Sequence, residues 1–352
     1  MDKTVFILGA GASVEAGIPA MADFLDRAQD LRDSNLLNEE EKKSFSNIFQ
    51  AIRTLKGVSF HTDLDLNNLE VVFGLFDMGR ILGKMGNYNA NEIDQLYEDL
   101  IKVIGITIDL CTVVRTHNDG SQSIPGPYPS FVQLLKNNFV NNDRLMASIV
   151  SFNYDLALDF AMHCEGIIPR YYVNEQNNKG NISLLKLHGS LNWGEGNRGQ
   201  VEPLNMKSLL GNGCLDGPFS ESRLIVSRKF IAGMPFNGYS IRGPMIVPPT
   251  WNKAEHRYNV GAVWQEAVNV IAEARAIYVV GYSLPETDMF FRYLFSLAAH
   301  SDTSIKRFWV FDPFPSIKNR YTNMLGPGLR EPRFQFHEKI FSEAITHIRE
   351  NI

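Results

Sequence analysis

The chain has 352 residues, 44% of them hydrophobic and 21% charged, with a formal net charge of −5. That length can bury a large core, as one α/β domain or two smaller ones. The acidic balance, with no Lys/Arg run, argues against the clustered basic surface of a nucleic-acid binder. No apolar stretch approaches the roughly 20 residues that span a bilayer. Cys111, Cys164 and Cys214 form no CxxC pair, so neither a disulfide framework nor a metal site is expected. With no cleavable leader pattern at the start, the sequence predicts a soluble cytoplasmic protein with reduced thiols.

In chain order, the apolar run "TVFIL" at 4–8 reads as a buried strand, followed by the glycine-rich stretch "GAGASVEAGIP". Residues 20–125 carry repeated helical spacing, as in "EEEKKSFSNIFQAIRTL" and "NEIDQLYEDLIKVIGITIDLCTVV", and read as a helical insertion. Further strands are expected at "MASIVSF" (146–152) and "SLLKL" (183–187). A Gly- and Asn-rich excursion over 190–245 follows, with a strand near "SRLIVS". The last part alternates helical spacing (260–274, 285–299, 315–324) with the strands "AIYVV" (276–280) and "RFWVF" (307–311). Continuous apolar runs suit strands covered on both faces. The alternation predicts a Rossmann-like, doubly wound parallel α/β sheet, with the whole chain as one domain.

In such sheets ligands bind outside the carboxyl ends of the strands, so the residues after each run are the candidates. They are Gly9-Ala10-Gly11-Ala12-Ser13, Asn153-Tyr154-Asp155, His188-Gly189-Ser190, Gly281-Tyr282-Ser283 and Asp312-Pro313. A structural sheet needs turn residues there, but not this mixture of hydroxyl, amide, imidazole and carboxylate groups. Gly9 and Gly11 suit a tight turn that lets backbone approach a pyrophosphate. The third glycine of a dinucleotide fingerprint is missing, since position 14 is Val. A plain turn and a phosphate site therefore both fit that stretch. Asn153 and Asp155 also fit a helix cap. His188 fits either a satisfied buried histidine or a general base. Glu70, in "NNLEVVFGLF", reads foremost as a helix-end carboxylate. Trp251 and Asn252, beside Pro248-Pro249, suit a pocket mouth or a structural loop, and Tyr282 suits an adenine stack or the core.

Taken together, "GAGASVEAGIP", "SFNYD", "LKLHGS" and "VVGYSL", in that order, resemble the sirtuin-like NAD-consuming proteins, with "VFDP" at 310–313 extending the likeness. The resemblance implies that Gly9, Ala10, Gly11 and Ser13 line the pyrophosphate of NAD. It sets Asn153 and Asp155 beside the nicotinamide ribose and makes His188 the catalytic histidine. It gives Gly281 and Ser283 to the adenosine half, with Asp312 near the adenine end. Two features depart from protein-deacetylating members. The paired CxxC motifs of their zinc module are absent, and GIP continues into Ala20-Met21 instead of Asp-Phe-Arg. These departures are similar to the bacterial sirtuin-like NAD hydrolases used as anti-phage effectors. The expected activity is then a regulated NAD glycohydrolase without a metal, working as a homo-oligomer with a separate activating or sensing protein. An NAD-dependent protein deacylase, a silent NAD- or ADP-ribose-binding regulatory subunit and a nucleotide-dependent oxidoreductase are the alternatives.

Overall fold

The computed structural model describes residues 3–352 except 59–63, 142–143, 174–179, 197–200, 219, 237–238, 248–256, 286–288 and 299–303. Seven strands build the central sheet: β1 (Thr4–Leu8), β2 (Ala147–Ser151), β3 (Pro169–Arg170), β4 (Ile182–Lys186), β5 (Ala276–Val280), β6 (Arg307–Phe311) and β7 (Phe334–His337). Their order is β7-β6-β5-β1-β2-β4-β3, and every neighbouring pair is parallel. This is the expected Rossmann-like architecture.

Every residue of β1, β4 and β5 is buried, as their unbroken apolar runs require. Alternation along β6 shows what covers the two faces. Phe308 meets Phe295 of α10 (Met289–Ala298) and Tyr321 of α11 (Ile317–Met324), whereas its neighbour Trp309 meets His347 of α12 (Phe341–Asn351). Helices α10 and α11 therefore cover the face opposite α12. On the α12 side lie α5 (Tyr128–Asn138), which packs on both α12 and α6 (Ala157–Cys164), and Phe131 of α5 sits edge-on to Phe6 of β1. Helix α9 (Arg257–Ala272) packs on α10 and β4.

The insertion holds α1 (Phe24–Arg32), α2 (Glu39–Val58), α3 (Leu69–Leu82) and α4 (Ala90–Cys111). Glu70 lies in the first turn of α3, where Asn68 caps its amide. The helical pattern was expected to reach 125, but α4 stops at Cys111. The Thr112 hydroxyl bonds back to the Ile108 carbonyl (2.8 Å), and the β-branched residues after it run extended as a strand at Val113–Thr116. That strand pairs antiparallel with Glu221–Leu224, which comes from the excursion. The two excursions thus share one four-stranded sheet, and the Asp109 carboxyl oxygen Oδ2 of α4 accepts from the Arg228 amide at the start of α8 (Val226–Ile231; 3.0 Å).

Strands β3 and β7 carry no continuous apolar run. They are the two edges of the sheet, one two residues long and the other reading "FQFH" with mostly half-buried side chains. Among the described residues no helix is long and apolar enough to cross a membrane.

Candidate functional site

Strand order reverses between β1 and β5: the chain leaves β1 toward β2, β4 and β3, then returns to β5 on the other flank and proceeds outward. Such a switch point opens a crevice at the carboxyl ends of the strands. Lys186, Ser151, Leu8, Val280, Phe311 and His337 pair in one row across six strands. One further rung extends it through the amides of Leu187, Phe152, Gly9 and Gly281, each bonded to the neighbouring strand at 2.9–3.0 Å. All five polar turns therefore open on one rim, with Asn153 and His188 at the same level beyond β2 and β4.

The glycine-rich stretch folds as a seven-residue 3-10 helix, Ala10–Ala16. Its glycines have a steric reason. A Cβ on Gly9 would lie 2.5 Å from the Gly281 carbonyl oxygen, and one on Gly281 would lie 2.3 Å from the Ala12 nitrogen. Gly281 also holds a left-handed φ of +59°. The β1 and β5 turns lie backbone to backbone, joined by the Gly11 amide donating to the Gly281 carbonyl (2.9 Å). The amides of Gly9 and Gly11 are thus committed within the protein. Ala10 and Gly11 remain half-buried at the surface of the crevice.

Beneath that stretch a buried polar cluster forms around Ser13. Its hydroxyl donates to Asp155 Oδ2 (2.7 Å) and accepts from Asn153 Nδ2 (3.0 Å). Its single proton being used, the 2.7 Å contact with Tyr128 has the tyrosine as donor. Ser13 therefore has no bonding capacity left for a ligand. Asp155 is also held: Oδ1 accepts from the Ala157 amide at the start of α6 (3.0 Å), from one residue before the N-cap position, Leu156, and not from the cap itself. Burial pushes the Asp155 carboxyl up, opposed by the nearby Lys186 ammonium and the Ser13 hydrogen bond. Burial also raises the Tyr128 phenol well above its ordinary range, with Asp155 adding to the effect.

Asn153 differs from its neighbours. Nδ2 donates to the Gly9 carbonyl (2.9 Å) as well as to Ser13, and those two acceptors fix which end of the amide is which. Oδ1 is buried and has no hydrogen-bond partner among the described residues, although the residue is 7% exposed. An unsatisfied buried carbonyl costs about 1–3 kcal/mol, so this atom marks a place where a hydroxyl or water donor is wanted.

His188 is buried, its ring edge-on to Phe152 at 5.2 Å, and its carbonyl accepts from the Val247 amide (2.8 Å). Gly189 beside it has a packing reason. Its φ is +83°, and a Cβ there would lie 2.2 Å from the Met245 oxygen, because the strand Gly189–Gly196 pairs tightly with Tyr239–Ile246. Phe152 stacks face to face on Tyr282, 3.9 Å apart and 2° from parallel, with Phe291 edge-on to both. Tyr282 is therefore a core residue closing over Gly9, and its carbonyl accepts from the Tyr321 hydroxyl (2.6 Å). The Ser283 carbonyl accepts from Arg320 (3.1 Å). Asp312 Oδ1 accepts from the Phe314 amide (2.9 Å), and burial raises its carboxyl against the pull of that amide and of Arg320.

The rim thus gathers Gly9, Ala10, Gly11, Asn153, His188, Gly281, Ser283 and Asp312, with Ser13 and Asp155 beneath it. Sequence reasoning missed Tyr128 and Lys186. Tyr128 stands alone in a helix and carries no motif, whereas a lysine inside the apolar run "SLLKL" was a legible signal. Trp251, Asn252 and Pro248-Pro249 lie outside the described residues. Among the described residues no group of three or more His, Cys, Asp or Glu side chains could hold a metal ion. A cavity of about 480 Å³ between Phe295 and Met324 lies by the starts of β6 and β7, at the opposite end of the strands from the rim.

Fold and rim together define a doubly wound α/β protein with its polar groups gathered at the topological switch point. The chain matches no protein-family model and no curated protein sequence. Among solved structures it is similar to a complex of Sir2, p53 peptide and NAD+, at 11% identity and a TM-score of 0.42 over 99% of this chain and 92% of that one. A Sir2 homologue–NAD complex scores 0.43 at 11% identity, over 99% and 88% of the two chains. Sir2 bound to an acetylated peptide scores 0.44 at 11% identity, over 99% and 92%.

Proposed function

We propose that the chain cleaves the nicotinamide–ribose bond of NAD with water, giving nicotinamide, ADP-ribose and a proton. The observation that carries this reading is the orphaned, buried Oδ1 of Asn153 at the switch point, level with His188. Departure of neutral nicotinamide takes the bonding electron pair and leaves oxocarbenium character on C1′ of the ribose, as in glycoside hydrolysis. Asn153 Oδ1 accepts from a ribose hydroxyl or the attacking water and so orients it. His188 takes the proton that water loses as its oxygen bonds to C1′. Asp155 does not touch substrate in this scheme, being buried beneath the rim; it holds Ser13, and through it Asn153. Ala10 and Gly11 face the pyrophosphate, with Gly9 and Gly281 allowing the close backbone approach. Ser283 and Asp312 line the adenosine side. The motif resemblance supports the further reading of a switched, NAD-depleting effector of bacterial anti-phage defence. In that reading a separate protein and self-assembly supply the trigger.

The test is NAD consumption by the purified chain, with nicotinamide and ADP-ribose identified by mass spectrometry. Removing a general base costs about 10²–10⁴ in rate, so His188→Ala is expected to lose turnover to that extent. Asn153→Ala loses it similarly while retaining most NAD affinity by calorimetry. Turnover that survives both substitutions refutes the assignment. Acyl-lysine turnover without NAD hydrolysis would replace it with a deacylase.

A further inference from the structure

Lys186 ends β4 with its side chain 2% exposed, in a run whose neighbours Leu184, Leu185 and Leu187 are apolar. Its ammonium donates to the Asp155 carbonyl (2.7 Å) and the Ser190 hydroxyl (2.8 Å) and forms an ion pair with Asp159 Oδ2 (2.7 Å). The three groups come from the turn after β2, the strand that follows the His188 turn and helix α6. A ring of side chains closes the arrangement. Ser190 donates to Asn192 Oδ1 (2.6 Å), Asn192 Nδ2 donates to the Tyr171 hydroxyl (3.1 Å), and Tyr171 donates to Asp159 Oδ1. All five members are buried.

Buried ion pairs seldom add stability over apolar residues of the same volume. Packing alone would therefore be met by another leucine or methionine in β4. What an apolar side chain could not do is hold the Asp155 carbonyl and the Ser190 hydroxyl at one point. Those groups lie two residues beyond Asn153 and two beyond His188. The Leu191 amide donates to the Tyr154 carbonyl (3.0 Å) across the same gap, so the two turns are laced together at that level.

We propose that Lys186 is a positioning residue, its ammonium fixing the Asn153 turn against the His188 turn. Its effect on rate rests on the reading of the rim as a site of NAD cleavage. Misplacing reacting groups by about 1 Å costs on the order of 10² in rate, and that is the scale on which Lys186 acts.

Lys186→Met alone strands the Asp159 carboxylate in the interior and risks failure to fold. The test variant therefore combines Lys186→Met with Asp159→Asn, which removes both charges and keeps an acceptor for Tyr171. It is compared, as full-length protein, with the wild type and with a control of equal thermal stability altered in α4 (Ile104→Val or Ile104→Ala). Amide exchange is expected to quicken about tenfold in 152–158 and 187–193 and not elsewhere. In NAD hydrolysis kcat is expected to fall about 10²-fold with KM nearly unchanged. Exchange that matches the control overturns the proposal, as does a kcat that matches it. A wild type that cleaves NAD no faster than Asn153→Ala refutes the reading of the site. The positioning role is then decided by exchange in the two turns, on the same criterion.

Discussion

Gly281→Ala probes the joint between the β1 and β5 turns. Two costs combine at this position, and other glycines separate them. The left-handed φ of +59° costs a non-glycine residue about 1–2 kcal/mol. The added Cβ would also lie 2.3 Å from the Ala12 nitrogen and 2.5 Å from the Gly11 carbonyl carbon. Both are backbone atoms, so the turns must part. Parting them breaks the Gly11 N–H to Gly281 O bond between two half-buried residues, a loss of about 0.5–1.5 kcal/mol. The total is about 1.5–3.5 kcal/mol. Gly83→Ala isolates the first cost, because Gly83 has φ +65° and nothing within 4 Å of an added Cβ. Gly11→Ala isolates the second, with contacts of 2.8 and 3.0 Å to Gly281 and no positive φ. Chemical denaturation of the three variants is expected to rank Gly281→Ala as most damaging, near the sum of the other two. If Gly281→Ala costs no more than Gly83→Ala, loop-on-loop packing is not what requires glycine here, and the crevice geometry built on it is refuted.

Asp109 is 1% exposed, and burial raises its carboxyl to about 8, against the pull of the Arg228 and Ser227 amides. The folded chain therefore holds it protonated while the unfolded chain ionises it from its ordinary 3.8 upward. Its penalty is absent below about pH 4 and grows by about 1.4 kcal/mol per unit until pH 8. Asp109→Asn is expected to flatten that decline, gaining on the wild type as pH rises from 5 to 8; parallel stability curves would refute it. Ser13→Ala leaves the Tyr128 hydroxyl and an Asp155 oxygen unpaired and is expected to cost about 2–4 kcal/mol in denaturant unfolding. A loss under 1 kcal/mol would show that Ser13 is not the hub of that cluster.

The strands with two covered faces were legible, "TVFIL", "AIYVV" and "RFWVF" to the residue and the other two to within one residue at each end. β3 and β7 were not, since an edge strand needs no unbroken apolar run. The rim residues were legible because parallel topology obliges the turns after successive strands to share one edge. Their individual environments were hidden. Gly189 reads as a plain turn residue until Met245 arrives from over fifty positions away to explain it. Tyr282 could have been a ligand platform until Phe152 supplied the stacking face. The helical insertion and the loop-rich excursion looked independent because their shared sheet joins segments that no local pattern connects.

That shared sheet sets a timetable for synthesis. Arg115 pairs with Glu221, so at ~5–20 residues per second its strand leaves the ribosome roughly 5–20 s before the partner does. Val114, fully buried in the finished sheet, lacks its Ser222 partner throughout that interval. The helices that precede it can pack on one another, but its ladder must stay open while β2, β3 and β4 are made. The nascent chain therefore passes through a stage in which half of its rim exists and a bare strand edge waits beside it, the form most exposed to chaperones or to a second nascent copy.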